Sequence, residues 1–206
     1  MYTSVLALKQ YLGITEAADD TLLAALIKRA QGIIDDYCNR TFEASADTTR
    51  YLDCPQSVGW LLTDYQYNSR RVTPPTLWLD RDLCQIISIV NGNGVTVTAG
   101  QYTTSPATDK PYYAIRLKPT SGINWTYTDD PVQAIAITGR WAYSVTAPQQ
   151  IVYACERLAA YLYRKKDAQV FDDTAFAEGG VVRLPKGLPA DVVEILNMNI
   201  RRMATA

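Results

Sequence analysis

The chain contains no histidine among its 206 residues. This removes the side chain that most often serves as general base and as transition-metal ligand. Cysteine is also sparse: the four are Cys38, Cys54, Cys84 and Cys155, and no two of them form a CxxC pair. Because a zinc site needs closely spaced cysteine or histidine ligands, this spacing disfavours one. We expect four reduced structural thiols in a cytosolic environment.

Neither sign of charge dominates, since 20 basic residues stand against 21 acidic ones and the formal net charge is −1. This balance gives no electrostatic reason to expect nucleic-acid binding over the whole surface. No apolar run approaches the roughly 18 residues that a membrane-spanning helix needs. The first residues lack the basic segment of a signal peptide. We therefore predict no membrane partner.

Motifs that carry enzymatic chemistry are missing as well. The sequence has no GxxxxGK[ST] phosphate loop, no GxGxxG after a predicted strand and no GxSxG nucleophile motif. It does contain four acidic pairs, Asp19-Asp20, Asp35-Asp36, Asp129-Asp130 and Asp172-Asp173. The first three fit a helix cap, a solvated helix face and a turn better than a metal or catalytic site. We expect no enzymatic activity, no metal and no cofactor.

Two helical segments open the chain. Ser4 can cap a short helix that Gly13 ends, and Asp19 or Asp20 can cap a longer one that ends near Asn39. In the longer helix apolar residues recur at spacings of three and four, which predicts a wide stripe facing the core. Its members are Leu22, Leu23, Leu26, Ile27, Ala30, Ile33, Ile34 and Tyr37.

From about Arg50 the apolar period changes to two, which is typical of half-buried antiparallel strands. Strands are predicted within residues 76–80, 84–90, 95–98, 112–118 and 132–141, with a tight turn over 91–94. The alternation in the fourth of these segments places Tyr113, Ile115 and Leu117 on one face. We also expect Trp141 to be buried where this β-rich segment joins the helices.

Helix returns at Pro148, with Ala147 as its cap. Residues 168–187 show no clean period, so the sequence predicts a long loop there with a flexible point at Gly179 and Gly180. A final helix follows from Leu188. The residues expected on one face of that helix are Val192, Leu196, Ile200 and Met203.

Together these segments predict an α+β fold. About four helices from both chain ends would form a small bundle from residues 1–49 and 146–206, and residues 50–145 would form an inserted antiparallel β-rich lobe. The bundle is expected because neither helical flank is long enough to bury its own apolar stripe.

Three phrases follow one another in the second half of the chain: "ITGRWAYS" (137–144), "PQQIVYACERLAAYLYRKKD" (148–167) and "LPADVVEIL" (188–196). They resemble the head–tail connector (adaptor) proteins of tailed double-stranded DNA phages. In that family a strand ending in a TG-x-x-[GA]-Y-S phrase leads into a helix that begins at proline. The segments 6–14 and 19–42 are similar to the family's N-terminal half, and "YYAIRL" (112–117) and "GINWTY" (122–127) to its larger members. The β insertion departs from the smallest members, which are almost wholly helical.

The resemblance implies a ring of about twelve copies under the portal, with a different face of each subunit meeting the next. It implies a place in the virion neck, after assembly in the host cytoplasm. The expected partners are the portal protein, a stopper (head-closure) or tail-completion protein, and further copies of the chain. Genomic DNA would pass through the channel without sequence-specific binding.

The resemblance also suggests where partners bind, because the family's C-terminal segment typically engages the portal. The expected portal-side residues are Leu188, Val192, Leu196, Ile200, Arg201, Arg202 and Met203. A flexible docking loop would carry Phe171, Asp172, Asp173, Phe176, Gly179 and Gly180. Subunit or channel contacts are expected at Arg164, Lys165, Lys166, Tyr112 and Tyr127.

Two other functions are compatible with the sequence. The chain has 14 tyrosines and 4 tryptophans, many of them in the β-rich segment, and exposed rings are also typical of sugar-binding surfaces. A carbohydrate- or surface-binding β module would require a row of exposed aromatic rings. A nucleic-acid-binding regulator would use the basic residues 164–166 and 201–202 in a salt-dependent manner.

Overall fold

The computed structural model describes residues 1–44, 46–55, 76–167, 174–176, 180–182 and 187–201. For residues 166–167, 174–176 and 180–182 it describes the backbone alone. The described residues form two compact units. The helical unit draws on Met1–Glu43 and Thr146–Ala206, and the lobe on Ala44–Val145. That these units are independent domains, with the boundaries predicted above, stays a prediction.

The helices and strands follow the chain in this order: α1 (Val5–Leu12), α2 (Asp20–Cys38), β1 (Thr48–Leu52), β2 (Leu77–Leu83), β3 (Gln85–Val90), β4 (Thr96–Val97), β5 (Tyr102–Ser105), β6 (Tyr112–Leu117), β7 (Ile135–Arg140), α3 (Gln149–Asp167), β8 (Thr174–Phe176), β9 (Gly180–Val182) and α4 (Ala190–Met198). The fold is therefore α+β, with helices at both ends and a β-rich middle, as the sequence predicts.

Local signals determine where the first two helices begin and end. The Ser4 hydroxyl accepts a hydrogen bond from the Ala7 amide at 3.1 Å, which caps α1. Gly13 ends that helix in the left-handed conformation at φ 73°. Asp19 precedes α2 without a capping hydrogen bond from its side chain, and Asn39 ends α2 at φ 49°. The predicted ends of the two helices at Gly13 and Asn39 and the Ser4 cap of α1 are confirmed, but the Asp19 side chain does not cap α2.

The core of the helical unit forms around α3, which packs against α1, α2 and α4. Each helix contributes side chains with no exposed surface, because its apolar positions recur on one face. These side chains are Leu8, Leu23, Ile27, Ala30, Ile34, Cys38, Ile151, Ala154, Cys155, Leu158, Ala159, Val192 and Leu196. Tyr37 was predicted in this stripe, but it is 37% exposed.

A short antiparallel hairpin pairs β8 with β9 inside the segment predicted to be a long loop. The prediction of a loop throughout residues 168–187 is therefore wrong. Three paired residues are too few to show a period, although the adjacent Val181 and Val182 have high β propensity.

Two antiparallel sheets build the described part of the lobe. One has the order β1-β7-β3-β4 and the other the order β2-β6-β5. Their inward side chains form one hydrophobic cluster, to which the first sheet gives Ile89, Ile135 and Ile137 and the second gives Leu79 and Ile115. A two-sheet core of this kind leaves the opposite face of each sheet outside the cluster.

The burial of two aromatic residues of the lobe, Tyr113 and Trp141, differs from the prediction. Tyr113 is 42% exposed rather than packed with Ile115 and Leu117. The pairing of β2 with β6 shifts register between Trp78 and Leu83, and the Tyr113 ring stacks on Trp78 instead. Trp141 is only partly buried, although its ring packs against the lobe core.

Candidate interaction surfaces

The apolar stripe of α4 faces the core of the helical unit. Val192 and Leu196 have no exposed surface, and Leu188 is half-buried. The buried pair therefore presents no surface to a partner in this fold. Arg202 and Met203, also predicted at the portal-side contact, lie outside the described residues.

The chain leaves the helical path after Met198, so the prediction that Ile200 continues the α4 stripe is wrong. Asn199 is buried, and its side-chain amide donates to the carbonyl of Ile195 at 2.8 Å. The Arg201 amide then donates to the carbonyl of Cys38 at 2.8 Å. That carbonyl lies at the end of α2, where helical carbonyls have no partner within their own helix.

This arrangement leaves three apolar side chains exposed at one end of the helical unit. Met198 is 69% exposed, Ile200 is 40% exposed, and the ring of Tyr37 lies on the neighbouring end of α2. The Tyr37 hydroxyl donates to Asn197 Oδ1 at 2.8 Å, which links the two helix ends. We call Tyr37, Met198 and Ile200 the end cluster. Sequence reasoning identified Ile200 alone, because Tyr37 fits the core stripe and Met198 lies off the predicted face.

The predicted docking loop is described only in part. The backbones of Phe176 and Gly180 face each other in the β8–β9 hairpin. Phe171, Asp172, Asp173 and Gly179 lie outside the described residues. The role of this segment in docking stays a prediction.

The predicted basic run lies at the end of α3. Arg164 and Lys165 are exposed, and Lys165 Nζ lies 5.9 Å from the centre of the Tyr161 ring. That distance is within the range of a cation–π contact. The backbone of Lys166 is helical, and its side chain is not described.

The two tyrosines expected at subunit or channel contacts differ in exposure. Tyr127 is 42% exposed, whereas Tyr112 is half-buried and packs against the lobe core. A bridge between the backbones of Gly92 and Tyr127 holds the loop that carries Tyr127. The buried Asn91 side chain supports the same loop, since Oδ1 accepts from the Thr126 amide at 3.1 Å and Nδ2 donates to the Asn124 carbonyl at 2.9 Å.

An exposed pair of stacked rings lies on the β2-β6-β5 sheet. Trp78 is 52% exposed, and its ring lies nearly parallel to that of Tyr113, with centroids 6.1 Å apart and an interplanar angle of 11°. Arg116 follows on β6, and its guanidinium donates to Ser105 Oγ at 2.8 Å. We call Trp78, Tyr113 and Arg116 the Trp78 face.

The four cysteines are free and buried. Burial raises the pKa of the Cys38 thiol to about 11 and that of Cys155 to about 12. Within the described ranges, no three acidic or cysteine side chains come together in a way that could hold a metal ion. No helix in the described part of the chain combines the length and the apolar character that a membrane crossing requires.

Comparison with known proteins finds a family model that matches the first part of the chain. Residues 2–92 match the family model described as phage gp6-like head-tail connector protein, so the resemblance read from the sequence is confirmed over this part of the chain. No curated protein matches the chain.

Two solved structures resemble the whole fold. One is a chain in the neck of an empty gene transfer agent (GTA) particle computed with C6 symmetry. It is 13% identical, has a TM-score of 0.57, and the match covers 99% of this chain and 92% of that one. The other comes from the virion of a native GTA particle, with 15% identity, a TM-score of 0.51, and coverage of 100% and 92%. At these identities the likeness shows a shared fold.

Proposed function

We propose that this chain is a structural connector in the neck of a phage-like particle, where it joins the DNA-filled head to the stopper or tail. The observation that carries the proposal is the family match over residues 2–92. The shared fold with chains of GTA neck and virion particles supports it over nearly the whole length. In this role the protein needs no enzymatic activity.

The copies would form a closed ring of about twelve under the portal, with heterologous contacts between neighbours. The C6 symmetry applied to the similar GTA neck is compatible with that number. Genomic DNA would pass through the channel without sequence-specific contacts, which agrees with a net charge of −1. Subunits would assemble in the host cytoplasm and remain in the virion neck.

We assign the portal-side contact to the end cluster, together with Arg201. Exposed apolar side chains next to an arginine have the composition of a protein interface. Ile200 and Arg201 were already expected at this contact from the sequence. Val192 and Leu196 are buried, so Met198 and Tyr37 take their place. The proposed contact therefore relies on residues that a partner can reach in the folded helical unit.

Binding of the full-length chain to the portal ring of its own particle tests both the role and the surface. We expect Met198→Glu and Ile200→Glu each to weaken binding by about tenfold or more, because a charge would be buried against an apolar partner. Val95→Glu is the matched control, since Val95 is 56% exposed but lies in a turn of the lobe. Normal binding by both end-cluster variants would place the portal contact elsewhere. Failure of the wild-type chain to bind would contradict the connector role.

A carbohydrate-binding lobe is the second candidate function, and the stacked Trp78–Tyr113 pair is the observation in its favour. Among the residues that the structure describes, the exposed rings do not form the single row that this function predicts. Tyr51 lies on β1 of the other sheet, and Tyr127 lies in a loop. Binding of the intact chain to a glycan array, with loss in Trp78→Ala, would favour this function.

A further inference from the structure

The Trp78 face has the composition of an interface centre. Tryptophan, tyrosine and arginine are the residues most enriched among the side chains that dominate binding energy. Here the two rings stack on each other while each keeps a large exposed area. Rings held in this way lose little conformational freedom when a partner covers them.

The positive charge of the Trp78 face is that of Arg116. Arg116 is exposed, and in the described part of the chain it forms no ion pair. Its bond to Ser105 Oγ is a bond to a neutral group, so the guanidinium keeps its positive charge available to a partner. An acidic partner surface with apolar side chains would complement the rings and the arginine together.

The lobe itself carries a surface of that chemistry in the loop over residues 127–133. Asp129 and Asp130 are exposed, and neither forms an ion pair among the described residues. Beside them, Tyr127 is 42% and Val132 is 60% exposed. The loop is held in place because Asp130 Oδ1 accepts from the Val132 amide at 2.7 Å and Asp53 Oδ1 accepts from the Gln133 amide at 2.8 Å.

The two surfaces lie on different parts of the lobe. The 127–133 loop leads into β7, a central strand of the first sheet, and its Pro131 carbonyl accepts from the Cys54 amide at 2.7 Å near the end of β1. The Trp78 face belongs to the second sheet. Two complementary surfaces at separate places on one subunit favour head-to-tail contacts between copies, which close into a ring when the rotation allows.

We propose that the Trp78 face of one copy packs against the 127–133 loop of the next copy, so that Arg116 pairs with Asp129 and the stacked rings cover Tyr127 and Val132. The proposal rests on the connector function and names the lateral contact of its ring. A few side chains bury far less than the roughly 800 Å² per partner of a stable interface. The lobe contact therefore contributes only part of the ring's stability.

Charge reversal tests the contact on the full-length chain assembling on its portal ring, with bound copies counted by native mass measurement. We reverse the charge of Asp129 rather than that of Asp130, because the Asp130 carboxylate accepts the hydrogen bond from the Val132 amide that holds the loop. We expect Arg116→Glu and Asp129→Arg each to weaken association of neighbouring copies about tenfold or more. The double variant should recover to within about threefold of the wild type, because the two effects are coupled. Lys28→Glu, an exposed charge change on α2, should assemble normally.

Cross-linking gives a second measurement that does not depend on affinity. When a thiol oxidant such as diamide is added, a chain carrying both Arg116→Cys and Asp129→Cys should form disulfide-linked ladders of several copies in the ring. Each single variant should form none, because the contact joins unlike surfaces.

The outcomes separate this proposal from the connector function. Wild-type chains that do not assemble on the portal would contradict both. Normal assembly by the single reversals, or additive loss in the double variant, would overturn the lateral contact alone. Glycan binding that requires Trp78, with unaltered assembly of Trp78→Ala, would also overturn it.

Discussion

At the scale of single residues, the Tyr2–Asp35 pair places an ionisable carboxyl inside the helical unit. The Tyr2 hydroxyl donates to Asp35 Oδ1 and accepts from the Phe42 amide at 2.7 Å. Burial raises the pKa of Asp35 to about 6, and the neighbouring Asp36 charge adds to the rise while the Tyr2 hydroxyl opposes it. The folded state therefore binds the Asp35 proton more tightly than the unfolded chain does. Stability must fall as pH rises from about 4 to about 6.

Asp35→Asn removes this ionisation and keeps an oxygen that can accept from Tyr2. We expect the variant to be more stable than the wild type above pH 7, by about 1–2 kcal/mol after allowance for partial exposure. The gain should shrink towards pH 4, where the wild-type carboxyl is protonated. Urea unfolding at pH 4 and pH 8, followed by the circular dichroism of the helices, measures the difference in unfolding free energy between the variant and the wild type. An equal effect at both pH values would contradict the assignment, and Glu194→Gln, which changes an exposed carboxylate on α4, is the control.

Gly139 is required where β7 meets the start of β3. A Cβ atom there would lie 2.2 Å from the Gln85 carbonyl oxygen and 2.9 Å from Leu83 Cδ1. Because the first of these is backbone, it cannot move away without breaking the pairing. We expect Gly139→Ala to destabilise the lobe by about 2–4 kcal/mol, measured by tryptophan fluorescence during unfolding. Gly100→Ala, where a Cβ meets nothing within 4 Å, should change stability little, and equal losses in both would contradict the account.

At the scale of elements, α4 stabilises the helical unit through its buried face. We expect Leu196→Ala to destabilise that unit by about 2–4 kcal/mol, because the side chain has no exposed surface. Met198→Ala, at 69% exposure on the same helix, should change stability by less than about 0.5 kcal/mol. Urea unfolding followed by helical circular dichroism compares the two. A small loss for Leu196→Ala would show that α4 does not pack as described.

The same packing makes truncation a poor test of portal binding. Removing residues 188–206 would expose the faces of α2 and α3 that α4 covers, so lost binding could reflect unfolding. Substitutions of single exposed residues, such as Met198 and Ile200, distinguish a lost portal contact from unfolding of the helical unit.

The elements differ in how far the sequence could predict them. The ends of α1 were predictable because Ser4 and Gly13 act within one helical turn. The apolar stripe of α4 could be predicted from its spacing. The spacing does not reveal whether the core of the same chain or a partner protein covers that stripe. The change of path at Ile200 depends on a bond between Arg201 and Cys38, residues far apart in sequence. Tyr113 is exposed and stacks on Trp78, a cross-strand contact that alternation in β6 alone does not reveal.

The interaction surfaces were harder to predict for the same reason. Tyr37 and Met198 meet only because α2 and α4 end side by side, linked through Asn197. Trp78 and Tyr113 stack across β2 and β6, which are neighbours in the sheet but are separated in sequence by β3, β4 and β5. The sequence shows many aromatic residues in the lobe, but not which of them remain exposed.

At the scale of the whole molecule, the two units have separate tasks in the proposed neck. The end cluster of the helical unit would meet the portal, and the lobe would link neighbouring copies. These contacts use different residues, so Met198→Glu should reduce portal binding and Arg116→Glu should reduce lateral association. If Met198→Glu instead reduced lateral association and Arg116→Glu reduced portal binding, this division of tasks between the two units would be contradicted.

Electron-microscopic imaging, with native mass measurement, of the full-length chain mixed with its portal ring tests the proposed connector role most directly. We expect a closed ring of about twelve copies on the portal, with a central channel wide enough for double-stranded DNA. A portal that binds no copies at any ratio of the two proteins would contradict it.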